Sequence, residues 1–483
     1  MVVYMTGPAI TGARLLALLG GETGPLGYRD LADGIRMLVM DGRVPAGSRL
    51  PSERDLTAAL PVSRTTVSRA YVELRQAGYL SSRAGTRSVV RLPDSAVASR
   101  VLAPGEGPSD ALRWTIAAGS AAPGVGLAFH RALEALPAYL AGTGYLMAGL
   151  PVLRERIADR YSERGLPTDP GQVVVTSGAQ AAFALLIRSL LDGGDRILLE
   201  SPTYPNAIEA VRRSGLRTVG LPLDEGGWHP ATLEATLRQT APRLAYLLPD
   251  FQNPTGHLMP ASARERIGPL LERHRTQVVV DETMAELALD LDEADLPAPM
   301  AAFARDAITI GSASKTFWGG LRIGWIRAPH EVVNRLLAAR RSLDLGAAVL
   351  EQLVVAELLA DRNAVVTERR TELRGRRDQL VALLADRFPD WRASPPPGGL
   401  SLWVELPERI SSRIAVAAEQ HGLIVTAGPR FFVDAGGERH LRLPFSRASD
   451  DLEEAVSRLA QAYEHVVTMS AGVRAGADVP LTA

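Results

Sequence analysis

The sequence predicts two folded units of different class, a small and mainly helical domain with a β-hairpin and a larger α/β domain. Three observations indicate this. Residues 28–78 place apolar side chains at helical spacing. Residues 93–111 are rich in Pro, Gly, Ala and Ser and lack apolar periodicity, which is typical of a linker. Later residues alternate between β-type and helical runs, and 483 residues are too many for one ordinary core.

The first unit is predicted to hold three helices and a hairpin. The helical runs are YRDLADGIRMLVMDG, SERDLTAAL and SRTTVSRAYVELRQAG, and the hairpin is predicted from YLSSRAGTRSVVRL. Ser52 and Ser63 are suited to begin helices as N-caps, whereas Gly42 and Gly78 are suited to end them. Two helices joined by a short turn, then a third helix and a hairpin, define a winged helix-turn-helix.

Charge separates the two units. Residues 1–92 contain 12 Arg and 7 acidic residues, a balance of +5, whereas the remaining 391 residues have a balance of −6. A basic module on a larger acidic body indicates that the first unit meets a polyanion. The start of a recognition helix enters the DNA major groove in such folds. The candidate DNA-contacting residues are Ser63, Arg64, Thr65 and Thr66, with Arg83 and Gly85 in the wing.

The pattern LPSERDL, VSRTTV and GYL resembles the GntR family of bacterial regulators over residues 26–92. That resemblance implies that Arg54, Arg64, Thr65, Thr66 and Gly85 occupy DNA-contacting positions. The alternative interpretation of this unit is a helical dimerisation module.

The second unit is predicted to be built on a mainly parallel sheet. Its β-type runs are QVVVTSG, DRILLESP, RLAYLLPD, QVVVDET and DAITIGS, separated by helical runs such as AQAAFALLIRSLLDGG and ARERIGPLLERHR. SLWVELP, GLIVTAG and RHLRLPFS, interspersed with helices, predict a smaller α+β portion near the end. We therefore expect a DNA-binding domain at 1–92, a linker at 93–111, the α/β domain at 112–467 and a flexible tail at 468–483.

Lys315 is the one lysine in the sequence, beside 52 arginines. Only a primary amine with an accessible neutral form condenses with an aldehyde, and a guanidinium does not lose its proton at working pH. A lysine that survived a composition bias by chance is the alternative explanation. Lys315 follows the strand-like run AITIGS, at a strand end where α/β sheets place ligands.

Other segments supply what an aldehyde cofactor with a phosphate and a pyridine ring needs. Backbone N–H groups of Gly178, Ala179 and Gln180, at a predicted strand-to-helix junction, are suited to a phosphate, as is the guanidinium of Arg322. Asp281 is suited to a protonated ring nitrogen, Tyr204 to stacking, and Asn253 to a phenolic oxygen. Each of these signals is weak alone.

Their order in the chain, TSGAQ, PTYPN, QNPTG, VVVDE, SASKT and GLRIGW, resembles the fold-type-I aminotransferases over residues 112–465. The resemblance implies a large mixed-sheet domain, a small C-terminal α+β domain and pyridoxal 5′-phosphate (PLP) as cofactor. It implies Lys315 as the Schiff-base lysine. The other implied roles are Asp281 at the ring nitrogen, Asn253 at O3′, Tyr204 on the ring, Ser312, Ser314 and Arg322 at the phosphate, Arg442 at a substrate carboxylate, and Tyr145 at the neighbouring subunit's phosphate.

One position departs from the pattern. Such chains usually place a tyrosine two or three residues after the aspartate, where it contacts O3′, but the run here is DETMAEL with Thr283. We expect the cofactor to bind, but the proton affinity of its imine and the tilt of its ring to differ.

The combination resembles the MocR/GabR group of transcription regulators, which implies a PLP-bound homodimer, possibly head-to-tail. The implied partners are double-stranded promoter DNA and an amine, amino acid or vitamer effector. The alternatives are a working aminotransferase with an accessory DNA-binding module and, less favoured, a DNA-binding protein with an empty enzyme fold. The sequence has no cysteine and no signal-peptide pattern, so we expect a cytoplasmic protein without membrane or metal partners.

Overall fold

The computed structural model describes residues 9–19, 27–40, 44, 47–81, 88–91 and 111–477. Within these residues the chain forms a helical head with a two-stranded hairpin, a domain with a seven-stranded sheet, and a subdomain with a four-stranded sheet. The expected linker at 93–111 lies almost entirely outside the described residues.

The head is built from four helices and a short hairpin. Its elements are α1 (Gly12–Leu18), α2 (Tyr28–Met40), α3 (Glu53–Ala59), α4 (Arg64–Gln76), β1 (Leu80–Ser81) and β2 (Val89–Val90). Leu31, Ile35, Leu56 and Val67 are fully buried in its core because apolar side chains repeat along one face of each helix. The sequence did not predict α1.

The predicted helix boundaries of the head can be checked at three residues. The Ser52 hydroxyl accepts a hydrogen bond from the Asp55 amide at 3.1 Å, and the Ser63 hydroxyl accepts one from the Thr66 amide at 3.0 Å. Both predicted N-caps are thus confirmed. Gly78, with φ of 79°, follows the end of α4 as predicted. Gly42 and the wing residues Arg83 and Gly85 lie outside the described residues.

The large domain carries a mixed seven-stranded sheet. Its strands are β4 (Val173–Thr176), β5 (Arg196–Ser201), β6 (Arg217–Pro222), β7 (Leu244–Leu247), β8 (Gln277–Asp281), β9 (Ile308–Ser312) and β10 (Gly324–Arg327). They lie in the order β4-β10-β9-β8-β7-β5-β6, and β10 alone runs antiparallel to its neighbours. The five strands predicted from sequence are present, and β6 and β10 were missed.

Helices cover both faces of this sheet and extend into the subdomain. They are α5 (Val125–Ala135), α6 (Pro137–Leu140), α7 (Pro151–Glu163), α8 (Ala179–Leu190), α9 (Pro205–Arg213), α10 (Pro230–Thr240), α11 (Ala261–Arg273), α12 (Ala313–Thr316), α13 (His330–Arg340), α14 (Val349–Ala360), α15 (Arg362–Arg387), α16 (Ser411–Gln420) and α17 (Ser449–Ala477). Across the described ranges, every helix is too short or too polar to cross a membrane.

The subdomain is assembled from both ends of the α/β region. β3 (Leu112–Trp114) pairs in parallel with β12 (Leu423–Ala427), and β13 (His440–Pro444) lies between β12 and β11 (Ser401–Glu405) in antiparallel pairing. The Trp114 side chain is fully buried and its indole N–H donates to the Pro444 carbonyl at 2.6 Å. β3 was not predicted, because three residues are too few for a periodic signal.

The structure differs from the predicted tail at 468–483. α17 continues through Ala477, so residues 468–477 are helical. The reason is that this stretch contains no proline before Pro480 and several good helix formers. Residues 478–483 lie outside the described part.

The head contacts the subdomain through the helices α2 and α16. α2 packs against α16, and charged side chains of both helices meet there. Burial raises the pKa of Glu419 on α16, and Arg36 on α2 opposes that rise. Burial likewise raises the pKa of Asp33 on α2, with Arg36 and Arg413 opposing it. The head therefore sits on the same subdomain that contains β12 and β13.

Candidate functional site

The carboxyl ends of β8 and β9 bring the central polar residues together. Asp281 ends β8, Ser312 ends β9, and Lys315 lies one turn later in α12. Because β8 and β9 are parallel neighbours, both strands end at the same edge of the sheet. Ligands bind at this edge in open α/β sheets, so the predicted position of Lys315 is matched by the fold.

Lys315 has an amine suited to nucleophilic chemistry. Its Nζ donates to the Ala117 carbonyl at 2.9 Å. Burial, with help from the nearby charges of Arg442 and Arg322, lowers the pKa of Lys315 to about 8, while Asp281 acts in the opposite direction. A substantial fraction of the amine is therefore neutral near pH 8, and only the neutral form attacks a carbonyl.

Asp281 is a buried carboxylate with its own hydrogen-bond donors. Burial raises the pKa of Asp281, and hydrogen bonds from Tyr246 and Thr283 counteract that rise. The Tyr246 hydroxyl, on β7, donates to Oδ2, and the Thr283 amide donates to Oδ1 at 2.9 Å. Sequence reasoning missed Tyr246 because a tyrosine within an apolar strand looks like an ordinary core residue.

The start of α8 forms a cradle for an anion. Gly178 precedes Ala179 with φ of 98°, and a Cβ added there would lie 2.7 Å from Nη2 of Arg322. Arg322 itself adopts a left-handed φ of 51°, a conformation that non-glycine residues tend to adopt at functional sites. Its Nη2 donates to the Ser177 carbonyl at 3.1 Å. The first N–H groups of a 12-residue helix and one guanidinium thus face the same space.

Two predicted hydroxyls lie on the neighbouring turn. Ser312 Oγ lies 3.0 Å from Ser314 Oγ and 3.2 Å from the Ser314 amide, where it caps α12. Gln180, in the first turn of α8, donates from its side chain to the Asn206 carbonyl at 3.3 Å. These contacts hold the polar groups beside the cradle in fixed positions.

Arg442, on β13, brings the subdomain into the site. It donates through Nη1 to Asn253 Oδ1 at 3.3 Å and through Nη2 to the Thr115 carbonyl. Burial lowers the pKa of Arg442 to about 10, Tyr204 acts in the opposite direction, and Arg430 lowers it further. The buried Nε has no hydrogen-bond partner in the described part of the chain. The site therefore spans both sheets, since Lys315 follows the large one and Arg442 belongs to the small one.

Thr283 lies beside a small cavity. The cavity measures about 40 Å³, and its lining includes Thr283, Ser312, Thr316 and Tyr161. That volume has room for a few water molecules. Thr283, at which the sequence analysis expected a tyrosine, therefore lines this cavity.

The other predicted residues lie apart from this group. Tyr145 is 69% exposed on the segment before α7 and belongs to a surface of this chain. Arg54, Arg64 and Thr65 are exposed on the head. Ser63 and Thr66 also lie at the start of α4, but their hydroxyl oxygens are 2.8 Å apart, so the helix cap already uses both groups.

Fold and site together define a GntR-type winged helix joined to an aminotransferase-type domain. Residues 141–459 match the family "Aminotransferase class I and II", and residues 27–90 match "Bacterial regulatory proteins, gntR family". Because the first match spans more than half of the chain, the chain belongs to the class I and II aminotransferase family, with a GntR-type domain in front of it.

Two regulators and one enzyme structure are similar to this chain. The uncharacterized HTH-type transcriptional regulator YisV of Bacillus subtilis is 27% identical over 90% of this chain and 95% of its own length. The probable rhizopine catabolism regulatory protein MocR of Rhizobium meliloti is 29% identical over 75% of this chain and 78% of its own. LysN, the α-aminoadipate aminotransferase of Thermus thermophilus, was solved with N-(5′-phosphopyridoxyl)-L-leucine. It is 29% identical, with a TM-score of 0.65 over 74% of this chain and 94% of LysN.

The cofactor of this domain is PLP, as the family and the LysN complex indicate. The residues present fit it chemically. PLP carries a phosphate, a pyridine nitrogen and an aldehyde. The start of α8 is suited to the phosphate, the buried Asp281 carboxylate to the pyridine nitrogen, and the Lys315 amine, with its lowered pKa, to the aldehyde.

The hydrogen bond from Tyr246 is expected to lower the pKa of Asp281. In cofactor-free protein, Tyr246→Phe should raise the pKa of Asp281 by about one unit or more, because a hydrogen bond to a charged group contributes roughly 1.5–3 kcal/mol. The measurement is the pH dependence of the carboxylic-acid infrared band, assigned with Asp281→Asn. Tyr161→Phe is the matched control, since that buried hydroxyl accepts from Trp325 at 3.2 Å instead. Equal midpoints in the wild type and Tyr246→Phe would refute the role of this bond.

Proposed function

We propose that this protein is a transcription regulator in which the GntR-type head binds promoter DNA and the aminotransferase-type domain senses a small amine. The effector class is an amine, amino acid or vitamer. The observation that carries the proposal is that one chain combines an exposed recognition helix with an amine of lowered pKa in a PLP-type site. A regulator that had lost its cofactor would have no need of Lys315, Asp281 and the cradle at α8 together.

The proposed roles of the site residues follow from their contacts. PLP, when bound, supplies an aldehyde that condenses with amines and a ring that withdraws electrons. Lys315 provides the amine for that aldehyde, and Asp281 holds a proton at the ring nitrogen. Gly178, Ala179, Gln180, Ser312, Ser314 and Arg322 bind the phosphate, Tyr204 stacks on the ring, and Asn253 donates to O3′. Arg442 binds the carboxylate of an incoming amino acid.

A second copy of the chain is the proposed partner of the exposed apolar surface near Tyr145. Leu127, Leu133 and Leu140 are each more than half exposed on α5 and α6, close in sequence to Tyr145. A surface with several large apolar side chains favours an interface. We propose a head-to-tail homodimer in which Tyr145 reaches the phosphate bound by the other subunit.

The proposed coupling runs through the subdomain. Arg442 pairs with Thr426 across β13 and β12, and β12 follows directly after α16, the helix on which the head packs. An effector that binds Arg442 more tightly in one arrangement of the subdomain shifts the balance between arrangements. Because α2 rests on α16, that shift changes the position of the head.

A working aminotransferase is the second candidate, because the chemistry of the site would serve either function. The neutral fraction of Lys315 and the buried Asp281 are as useful to an enzyme as to a sensor. The two functions differ in turnover, because an enzyme must release a keto acid and be regenerated by another.

The first test concerns Lys315. Borohydride treatment of the purified protein should fix PLP covalently on Lys315, since no other side-chain amine exists. Lys315→Ala should lose this linkage and retain some PLP through Arg322 and Asp281. Lys315→Arg is the matched control, because it keeps the charge and cannot condense. Peptide mass spectrometry locates the label, and a label on the N-terminal amine, or no PLP at all, would disprove the assignment.

The second test concerns Arg64. Arg64→Ala should weaken binding to the native promoter by about 1–3 kcal/mol if the side chain reads a base. Arg64→Lys keeps the charge and loses the bidentate geometry, so it separates base reading from phosphate attraction. Unchanged affinity in both variants would show that α4 is not the recognition helix. Footprinting should reveal paired half-sites if two heads bind as a two-fold pair.

The third test concerns Thr283. A phenol near O3′ would help to position protons, and general acid–base positioning contributes roughly 10²–10⁴-fold. We expect amines to change the absorbance of bound PLP while steady-state transfer to keto acids stays slight. Turnover near 1 s⁻¹, within the usual range of enzymes, would favour the aminotransferase instead. If turnover is absent, Thr283→Tyr should restore part of a half-reaction.

A further inference from the structure

Glu200 is a fully buried carboxylate near the end of β5, and the roles proposed above do not use it. Its Oε1 accepts from the Trp228 indole N–H at 2.7 Å and from the Leu248 amide at 3.1 Å. Its Oε2 accepts from Gln252 Nε2 at 2.9 Å. These three donors are uncharged. Because burying a carboxylate is costly unless hydrogen bonds satisfy it, they hold Glu200 in one orientation.

Gln252 is also buried, and both polar atoms of its side chain are used. Besides Glu200, its Nε2 reaches the Pro202 carbonyl at 2.8 Å. Its Oε1 accepts from the Thr255 amide at 3.0 Å and from the Thr255 hydroxyl at 2.8 Å. A flipped carboxamide would turn an acceptor toward Pro202 and a donor toward the Thr255 amide. The carboxamide of Gln252 therefore fits in one orientation only.

Asn253 follows directly in the turn that these contacts hold. The Gln252 amide donates to the His257 carbonyl at 2.8 Å, and the Gly256 amide donates to the Gln252 carbonyl at 2.6 Å. Asn253 Oδ1 accepts from Arg442 Nη1 at 3.3 Å, so Nδ2 is the atom that remains for O3′ of the cofactor. The Gln252 side chain thus connects the buried carboxylate of β5 to the turn that presents Asn253.

The same carboxamide also holds the loop that carries Tyr204. Pro202, whose carbonyl accepts from Gln252, lies two residues before Tyr204. The intervening Thr203 donates from its amide to the Phe431 carbonyl at 2.8 Å, which joins this loop to the turn after β12. The two loops proposed to meet the cofactor ring are therefore connected through one side chain.

We propose that Glu200 is a positioning residue for the cofactor ring, and that through Gln252 it fixes the place from which Asn253 donates to O3′. The inference rests on the role proposed for Asn253. It assigns the tuning of the cofactor to a carboxylate that acts through a second side chain rather than by contact with the cofactor.

The test measures the pH midpoint at which the absorbance of bound PLP changes. A donor at O3′ stabilises negative charge there, so its loss should raise this midpoint. Asn253→Ala provides the reference and should raise it by about one unit. Gln252→Met keeps the length of the side chain and removes its polar atoms. It should raise the midpoint by at least about half of the reference shift.

Glu200→Gln tests the carboxylate itself. The introduced amide can still accept from Trp228 and Leu248 through its oxygen, but its nitrogen then faces Gln252 Nε2, and two donors oppose each other. The midpoint should rise as in Gln252→Met. Loss of a negative charge alone would instead lower the midpoint, because a nearby negative charge favours the protonated form. A lower midpoint would therefore overturn the inference.

The double variant Glu200→Gln, Gln252→Glu reverses the donor and the acceptor at the same net charge. It should return the midpoint most of the way to the wild-type value, although the Pro202 carbonyl loses its donor. A midpoint that stays as high as in Glu200→Gln would count against the pair. In cofactor-free protein, hydrogen exchange of residues 252–259 should be faster in both single variants and slower again in the double variant.

Gln352→Met is the matched control. Gln352 is fully buried, accepts from the Leu150 amide at 2.7 Å and donates to the Ala347 carbonyl at 2.9 Å. Its loss should lower the temperature of unfolding, as in Gln252→Met, and leave the absorbance midpoint unchanged.

The variants separate failure of this inference from failure of the proposed function. Unchanged midpoints in Glu200→Gln and Gln252→Met, beside a shifted Asn253→Ala, would overturn the positioning role and leave the proposed function standing. An unchanged midpoint in Asn253→Ala would overturn the role of Asn253 at O3′ together with this inference.

Discussion

The site depends on burying charged groups at one sheet edge without letting any of them lose its working protonation state. Desolvation pushes the Lys315 amine toward neutrality, which the chemistry needs, and pushes Asp281 toward neutrality, which the chemistry does not need. The hydrogen bonds from Tyr246 and from the Thr283 amide oppose the second effect, and the Asp281 charge only partly offsets the lowering of the Lys315 pKa. Burial thus produces a reactive amine at Lys315, whereas at Asp281 the hydrogen-bond donors counteract burial and favour the ionised form.

In that arrangement one small ligand would contact residues of two sheets. Lys315 follows β9 of the seven-stranded sheet, whereas Arg442 lies on β13 of the four-stranded sheet. Under the roles proposed for Lys315 and Arg442, a ligand with an amine and a carboxylate would contact both, and its binding free energy would depend on the distance between the sheets. A ligand shifts a conformational balance only by its differential affinity. An amine without a carboxylate would contact only the Lys315 side of the site. It would therefore shift the conformational balance less.

Much of the fold could be predicted from the sequence, because long periodic runs such as those of β8, β9 and α8 carry a strong signal. The Lys315 neighbourhood was predictable because its motifs follow a distinctive order. The three residues of β3 were too few to show a pattern, and β10 was missed because its antiparallel place depends on distant partners. Tyr246 could not be found either, since its importance comes from the Asp281 carboxylate that lies beside it in space. The contact between α2 and α16 is likewise tertiary and leaves no local trace.

The head is tied to the subdomain in two independent ways. The chain enters the α/β region at β3, which pairs with β12, and α2 packs on α16, which leads into β12. The covalent connection through β3 and the contact between α2 and α16 thus both lead to β12. This strand pairs with β13, which contains Arg442. A displacement of β12 relative to the seven-stranded sheet carries both attachments with it, so the head follows the subdomain without any need to unfold or detach. The geometry accordingly favours a head that moves as part of the subdomain that contains Arg442.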